Sequence, residues 1–177
     1  MSYELYIWDP ARHPPLPATE EEAYDTKERL SELNDNWNST LSEFGNRLVQ
    51  RFEANATIRA GGLEAFWGAD PRKAIAACKF AAFCLPLPTE GCTQQIAWAV
   101  EAAAELGLVV FDDNFGSCFL PDGNILPAEM KAIWESDLAE MKADAADPSR
   151  KKIDGKNIWQ RIAGELFDAI GRGNKHR

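Results

Sequence analysis

The chain has 177 residues, room for one well-formed core but too little for two independent ones that would each be stable. Hydrophobic residues at 45% and charged residues at 27%, with six Trp and nine Phe to bury, exclude a chain disordered throughout. Nineteen Lys and Arg against 28 Asp and Glu leave a formal net charge of -9, which excludes general attraction to nucleic-acid phosphates or anionic membranes.

Met1-Ser2-Tyr3-Glu4 has no basic region followed by an apolar stretch, so no secretory leader is expected. Tyr3 to Trp8 is rich in strand-favouring residues and stops at Asp9-Pro10, which predicts an N-terminal strand. Pro10, Pro14, Pro15 and Pro17 then predict an extended, polyproline-like connector over residues 9–18. Thr19-x-x-Glu22 has capping-box spacing and should open a helix. Leu30, Leu33, Trp37, Leu41, Phe44, Leu48 and Phe52 step by three or four, a helical stripe facing the core. Asn34-Asp35-Asn36 and a second capping box, Thr40-x-x-Glu43, predict a break near residues 34–39.

Ala60-Gly61-Gly62 through Asp70-Pro71 reads as irregular, and the short apolar run 79–85, ended by Pro86 and Pro88, as a second strand. Ile96, Val100, Ala103, Ala104 and Leu106 form a small-residue helix face, with Gly107 placed for a left-handed cap. A hairpin should follow, with strands 108–111 and 117–120 joined by a turn at Asp112-Asp113-Asn114 and closed by Asp122-Gly123. Pro127 opens a helix bearing Met130, Ile133, Trp134, Leu138 and Met141, and Pro148 bars its extension. A last helix carries Ile158, Trp159, Ile162, Ala163, Leu166, Phe167 and Ile170 to Gly171, with residues 172–177 as a flexible tail. The expected fold is therefore α+β, one domain over 1–177, with a small mainly antiparallel sheet of about four strands covered by about five helices.

A hydroxyl or thiol nucleophile needs an adjacent base, and the only histidines are His13 and His176. His13 stands in the proline connector beside Asp9 and Arg12, where it reads as an exposed, non-catalytic residue; His176 is in the tail. Cys92, near the start of the helix leading to Leu106, is the best nucleophile candidate because a helix N-terminus lowers a thiol pKa. Packing is nevertheless the favoured role of Cys78, Cys84, Cys92 and Cys118, and reduced thiols are expected. Their spacing lacks the close pairs of a zinc site, Asp112-Asp113-Asn114 lacks the pattern of a calcium loop, and Gly61-Gly62 lacks the lysine of a phosphate-binding loop. No metal or cofactor is expected. The basic run Arg150-Lys151-Lys152 with Lys156 reads as a solvated loop, and the longest apolar stretch, interrupted by Glu101 and Glu105, is no membrane span. Cytoplasmic residence follows as the expectation.

What remains is acidity. Glu20, Glu21, Glu22, Asp25 and Glu28 crowd the start of the first helix, where negative charge favours the dipole. The same face would speed encounter with a basic partner and disfavour an acidic one. The opening Tyr3-Glu4-Leu5-Tyr6-Ile7-Trp8-Asp9-Pro10 and the later run Ala103 to Asp112 resemble segments of small bacterial proteins, among them immunity-type proteins of polymorphic toxin systems. That resemblance implies a cytoplasmic protein that binds and neutralises a cognate toxin by occlusion, with no catalytic residues to carry over. The contact surface is then expected among Asp9, Glu20, Glu21, Glu22, Asp25, Glu28, Asp112 and Asp113, against a toxin with a basic surface and not against nucleic acid or membrane. The alternatives are a small hydrolase using Cys92 or the Asp9/His13 region, and a housekeeping adaptor.

Overall fold

The computed structural model describes residues 3–35, 38–88 and 93–146. The chain divides into two compact units, Met1–Lys131 and Ala132–Arg177. The expected helix over 156–171, the basic run at 150–156, His176 and Cys92 lie outside the described residues, as does Trp37.

The first unit is built on a five-stranded sheet: β1 (Tyr3–Trp8), β2 (Phe83–Leu87), β3 (Val109–Asp112), β4 (Ser117–Phe119) and β5 (Ile125–Leu126), in the order β2-β1-β3-β4-β5. Every neighbouring pair is antiparallel, with Leu5 opposite Leu85 on one side and Asp112 on the other. Among the described residues six helices accompany it, α1 (Glu20–Glu32), α2 (Ser39–Ala54), α3 (Ala56–Arg59), α4 (Leu63–Trp67), α5 (Pro71–Ala77) and α6 (Thr93–Glu105), and a seventh, α7 (Met130–Ala146), starts at the end of the first unit and belongs mainly to the second. The α+β class and the four anticipated strands stand, and Ile125–Leu126 adds a fifth.

Alternation along β1 divides its side chains between two faces. Trp8, Val109, Phe111 and Cys118 bury themselves with Ala23 and Leu30 of α1, while Tyr6 packs at the margin of that cluster. Leu5, Ile7, Phe83, Leu85 and Val110 are buried on the other face, and α6 packs against β3. Burying an aromatic or aliphatic side chain of this size is worth roughly 1.5 to 3 kcal/mol before entropy is subtracted, so both faces hold the sheet.

Local chemistry accounts for the helix ends. Thr19 caps α1, its hydroxyl accepting from the Glu22 amide at 3.2 Å, and the Glu22 carboxylate accepts from the Ala18 amide at 2.7 Å. The break before α2 falls where Asn and Asp gather, but the cap is Asn38, which accepts from the amides of Thr40 and Leu41 at 2.8 and 3.3 Å; Thr40 lies already inside the helix. At the end of α6, Gly107 takes φ +72 while the Gly107 and Leu108 amides reach back to the carbonyls of Ala104 and Ala103, a Schellman closure.

Four expectations need correction. The connector after β1 begins as a turn, because the Asp9 carbonyl collects the amides of Arg12 and His13 at 3.2 and 3.1 Å. The segment read as irregular, 60–71, contains α4 and the start of α5, with α3 just before it: Asn55 caps α3, Asp70 caps α5, and Pro71 occupies the first turn of α5, where its missing N–H costs nothing. The second strand starts at Phe83, since residues 79–82 pair with the end of α1 instead, through Ala81 to Leu33 at 2.9 Å and Ala82 to Leu30 at 3.2 Å. It also runs through Pro86, which a strand tolerates at the edge of a sheet, where β2 lies.

Candidate functional site

Lys27 is the residue that sequence reasoning missed. It occupies the buried face of α1 between Ala23 and Leu30, at spacings of four and three, and only 4% of it is exposed. Its ammonium lies 2.7 Å from Asp113 and 2.5 Å from Glu28. The same nitrogen stands 4.6 Å from the ring centre of Tyr24, 5.0 Å from Tyr6 and 5.8 Å from Phe111, a three-ring cage around one cation. Burial by itself would lower the Lys27 pKa, but hydrogen bonds and charge from Asp113 and Glu28 outweigh it and the pKa is raised. A charged residue at an apolar stripe position, with a carboxylate beside it at Glu28, was the available signal.

The eight acidic residues expected to form a partner surface divide into three groups. Glu20, Glu21 and Asp25 are exposed on α1 and carry no ion pair among the described residues. Glu22 closes the capping box, and Glu28 and Asp113 hold Lys27 while remaining partly in solvent. Asp9 and Asp112 are buried and do not join the surface. The Asp9 side chain accepts from the Ala11 amide at 3.0 Å. Asp112 accepts from the amides of Asn114 and Phe115 at 3.0 and 3.3 Å and from the Tyr3 hydroxyl. Burial pushes the Asp112 carboxyl up to about 6, against the downward pull of those donors.

A groove of about 310 Å³ opens beside the three-ring cage, lined by Glu20, Glu21, Tyr24, Phe111 and Gly116. Tyr24 is half exposed and meets Phe111 edge-on, with ring centres 6.3 Å apart. Gly116, at φ +63, lets the turn between β3 and β4 come close to α1: a Cβ there would stand 2.9 Å from a Glu20 carboxylate oxygen. The site is thus an aromatic floor with carboxylates on its rim.

The hydrolase elements are placed differently. The His13 ring nitrogen Nε2 is 3.0 Å from Asp35, which Arg12 also reaches at 2.7 Å, so the side-chain partner of His13 is Asp35 and not Asp9. Asp35 and Cys78 line a common hollow of about 100 Å³ with Asn38 and Phe80, yet the Cys78 thiol is directed at the carbonyls of Phe80 and Ala82, at 3.6 and 3.9 Å. Burial pushes the thiols of Cys84 and Cys118 up to about 11 and about 12, so both are protonated at neutral pH and act as apolar packing. Among the described residues no group of three or more His, Cys, Asp or Glu is placed to hold a metal ion. Nor is any described helix long and apolar enough to cross a membrane.

Comparison of the chain with protein-family models, with curated proteins and with solved structures returns no match.

Proposed function

We propose that this chain is a non-catalytic binding protein of the immunity type, which neutralises a cognate toxin by covering a basic surface of it with the exposed acidic face of α1. The observation that carries the reading is the disposition of Glu20, Glu21 and Asp25, all exposed and none in an ion pair among the described residues. The helix dipole accounts for Glu20 and Glu21 in the first turn, but its influence fades before Asp25. Glu21 and Asp25 stand four residues apart, where like charges destabilise an isolated helix by a few tenths of a kcal/mol, about 0.2 to 0.5. The fold has no use for that repulsion. A basic partner relieves it and is steered by it.

The test is affinity capture from the native host with the unaltered chain and with Glu20→Gln/Glu21→Gln/Asp25→Asn, followed by co-expression of the captured protein. The expected result is a stoichiometric basic partner that is toxic alone, is neutralised by the unaltered chain, and is held at least tenfold more weakly by the triple variant. Equal retention by both chains would overturn the acidic-face reading. Loss of protection in His13→Ala with binding intact would replace it with the hydrolase reading.

A further inference from the structure

We infer that the outer edge of β2 at Cys84 is a recognition site for one extended, uncharged residue of a partner polypeptide, held through its backbone. The sheet ladder sets where the backbone groups of β2 point. The Asp113 amide donates to the Glu4 carbonyl at 3.3 Å, so Glu4 and Asp113 form a hydrogen-bonded pair just past the end of β3. Bonded and non-bonded pairs alternate along an antiparallel ladder, so Glu4, Tyr6 and Trp8 turn their backbone groups to β3 and Tyr3, Leu5 and Ile7 turn theirs to β2. Leu87, Leu85 and Phe83, which stand opposite these last three, therefore bond to β1, whereas Cys84 and Pro86 face away from it. Two features agree with this phase. Proline, with no N–H to give, stands where β1 requires none, and Ala82, two residues before Cys84, sends its amide away from the ladder to the Leu30 carbonyl at 3.2 Å.

The edge is closed on both sides of Cys84. At Ala82 the end of α1 takes the amide, and the Cys78 thiol lies 3.9 Å from the carbonyl. Pro86 offers no donor, and the turn after α4 comes up to its carbonyl, where a Cβ on Gly68 would stand 3.5 Å away. Between them Cys84 directs an N–H and a C=O outward, with no partner among the described residues. Beside it lies a hollow of about 460 Å³ whose lining, with Tyr6, Ala77, Phe80 and Ala82 in it, holds no charged side chain. Phe80 leaves 46% of its surface to solvent there. One extended residue answers the free N–H and C=O by exchanging both bonds, and its side chain then projects on the same face as that of Cys84. The uncharged hollow selects an apolar side chain, since a charged one would lose water and meet no counter-ion. Closure at Ala82 and Pro86 limits the match to a single residue, so the occupant is the tip of an extended loop and not a whole added strand. The acidic face of α1 has no part in this recognition, which holds whether or not the chain neutralises a toxin.

The test is an NMR titration of the 15N-labelled full chain with N-acetyl-valine N-methylamide and, separately, with its ester analogue, in which an oxygen replaces the valine N–H and only the donor is lost. One residue on an open edge binds weakly, on the order of 10 mM or weaker, so the readout is the pattern and relative size of amide shifts. The Cys84 amide should show the largest shift in the chain, at least threefold larger for the valine amide than for its ester and than for the corresponding glutamate and lysine compounds. Cys84→Pro removes an N–H that the ladder does not use and should abolish the effect; Phe80→Ala, at a half-exposed ring, should reduce it at least twofold. Hydrogen exchange of the free chain checks the geometry beforehand, with Cys84 expected to exchange at least tenfold faster than Phe83 and Leu85. A Cys84 amide as protected as its neighbours would overturn the site, as would equal shifts for amide and ester, shifts centred elsewhere, or unchanged binding in a folded Cys84→Pro chain. Should that variant fail to fold, the comparison of amide with ester decides by itself.

Discussion

Asp112 ends β3 and Asp113 opens the turn that follows, and the two neighbouring carboxylates find different partners. Asp112 lands among hydrogen-bond donors, the Tyr3 hydroxyl and two backbone amides, with no cation among its partners. Asp113 lands against Lys27 with 34% of its side chain still in contact with water. The same functional group is therefore pushed towards its neutral form at Asp112, while at Asp113 it pairs with an ammonium. At Asp112 the donors lower the cost of the buried charge without cancelling the effect of burial. The split also decides what reaches the surface: Asp113 and Glu28 extend the acidic face of α1, and Asp112 contributes a well-defined turn beneath it.

The comparison breaks most visibly at Lys27. Lys27→Ala should cost about 3 kcal/mol in chemical denaturation, the lower end for removing one partner of a buried pair, because Asp113 and Glu28 can turn to water. Lys27→Met should cost less, since Met keeps an apolar stem in the buried position of α1 between Ala23 and Leu30. A loss below about 1 kcal/mol for Lys27→Ala would mark the pair as an ordinary surface salt bridge and undo the contrast with Asp112.

The second effect is in the pH dependence. Asp112 has a folded carboxyl pKa of about 6 against an ordinary 3.8, so the native state binds its proton more tightly than the unfolded chain does. Its charge therefore works against the fold above pH 6, and its contribution to stability rises as the pH falls from 7 to about 4. The span is on the order of 2 to 3 kcal/mol at 1.36 kcal/mol per pKa unit. Asp112→Asn keeps an acceptor for the turn amides and has no proton to gain. Its stability relative to the native chain should be most favourable at pH 7 and fall by that amount towards pH 4. A pH-independent difference between the two chains would show that Asp112 titrates normally.

Two smaller changes sharpen the same contrast. Tyr3→Phe removes one donor from Asp112 and should cost about 1 kcal/mol at neutral pH, while moving the Asp112 midpoint upward, read by carboxyl NMR titration. An unchanged midpoint would mean that the hydroxyl does not stabilise the carboxylate. Gly116→Ala, at φ +63, should cost about 1 kcal/mol of backbone strain and displace the Glu20 carboxylate, with no effect on the Lys27 pair. Its measurement is the melting temperature together with amide shifts at residues 20 and 27. A shift at 27 as large as that at 20 would show that the turn and the cage are one unit.

Much of the fold was legible because its signals are local. The alternation in Tyr3 to Trp8, the Thr19 capping box, Gly107 at a helix end and the hairpin turn at 112–116 each read correctly from a handful of neighbouring residues. What was not legible depends on distant partners. Residues 79–82 look like strand, yet they are captured by the carbonyls of Leu30 and Leu33. Three short helices between Ala56 and Ala77 hide behind Gly and small residues, and aromatic packing secures the middle one: Phe66 lies 5.1 Å from Trp67, 5.3 Å from Trp98 and 5.7 Å from Phe52. The Asp70-Pro71 pair was a visible helix start that the reading treated as a loop. For the candidate site, the acids of α1 were visible from composition. Their division into free, pair-forming and buried groups was not, because Lys27 meets Asp113 across 86 positions of sequence and Asp112 meets Tyr3 across 109.

The most direct test of the central claim is the association rate of the captured partner as a function of ionic strength, for the unaltered chain and for Glu20→Gln/Glu21→Gln/Asp25→Asn. Screening acts over about 10 Å at 0.1 M salt, so steering by an exposed acidic face is a rate effect that salt removes. The account predicts a steep fall of the association rate with salt for the unaltered chain, a much shallower one for the triple variant, and convergence of the two at high salt with nearly equal dissociation rates. Parallel salt dependences for the two chains would contradict it.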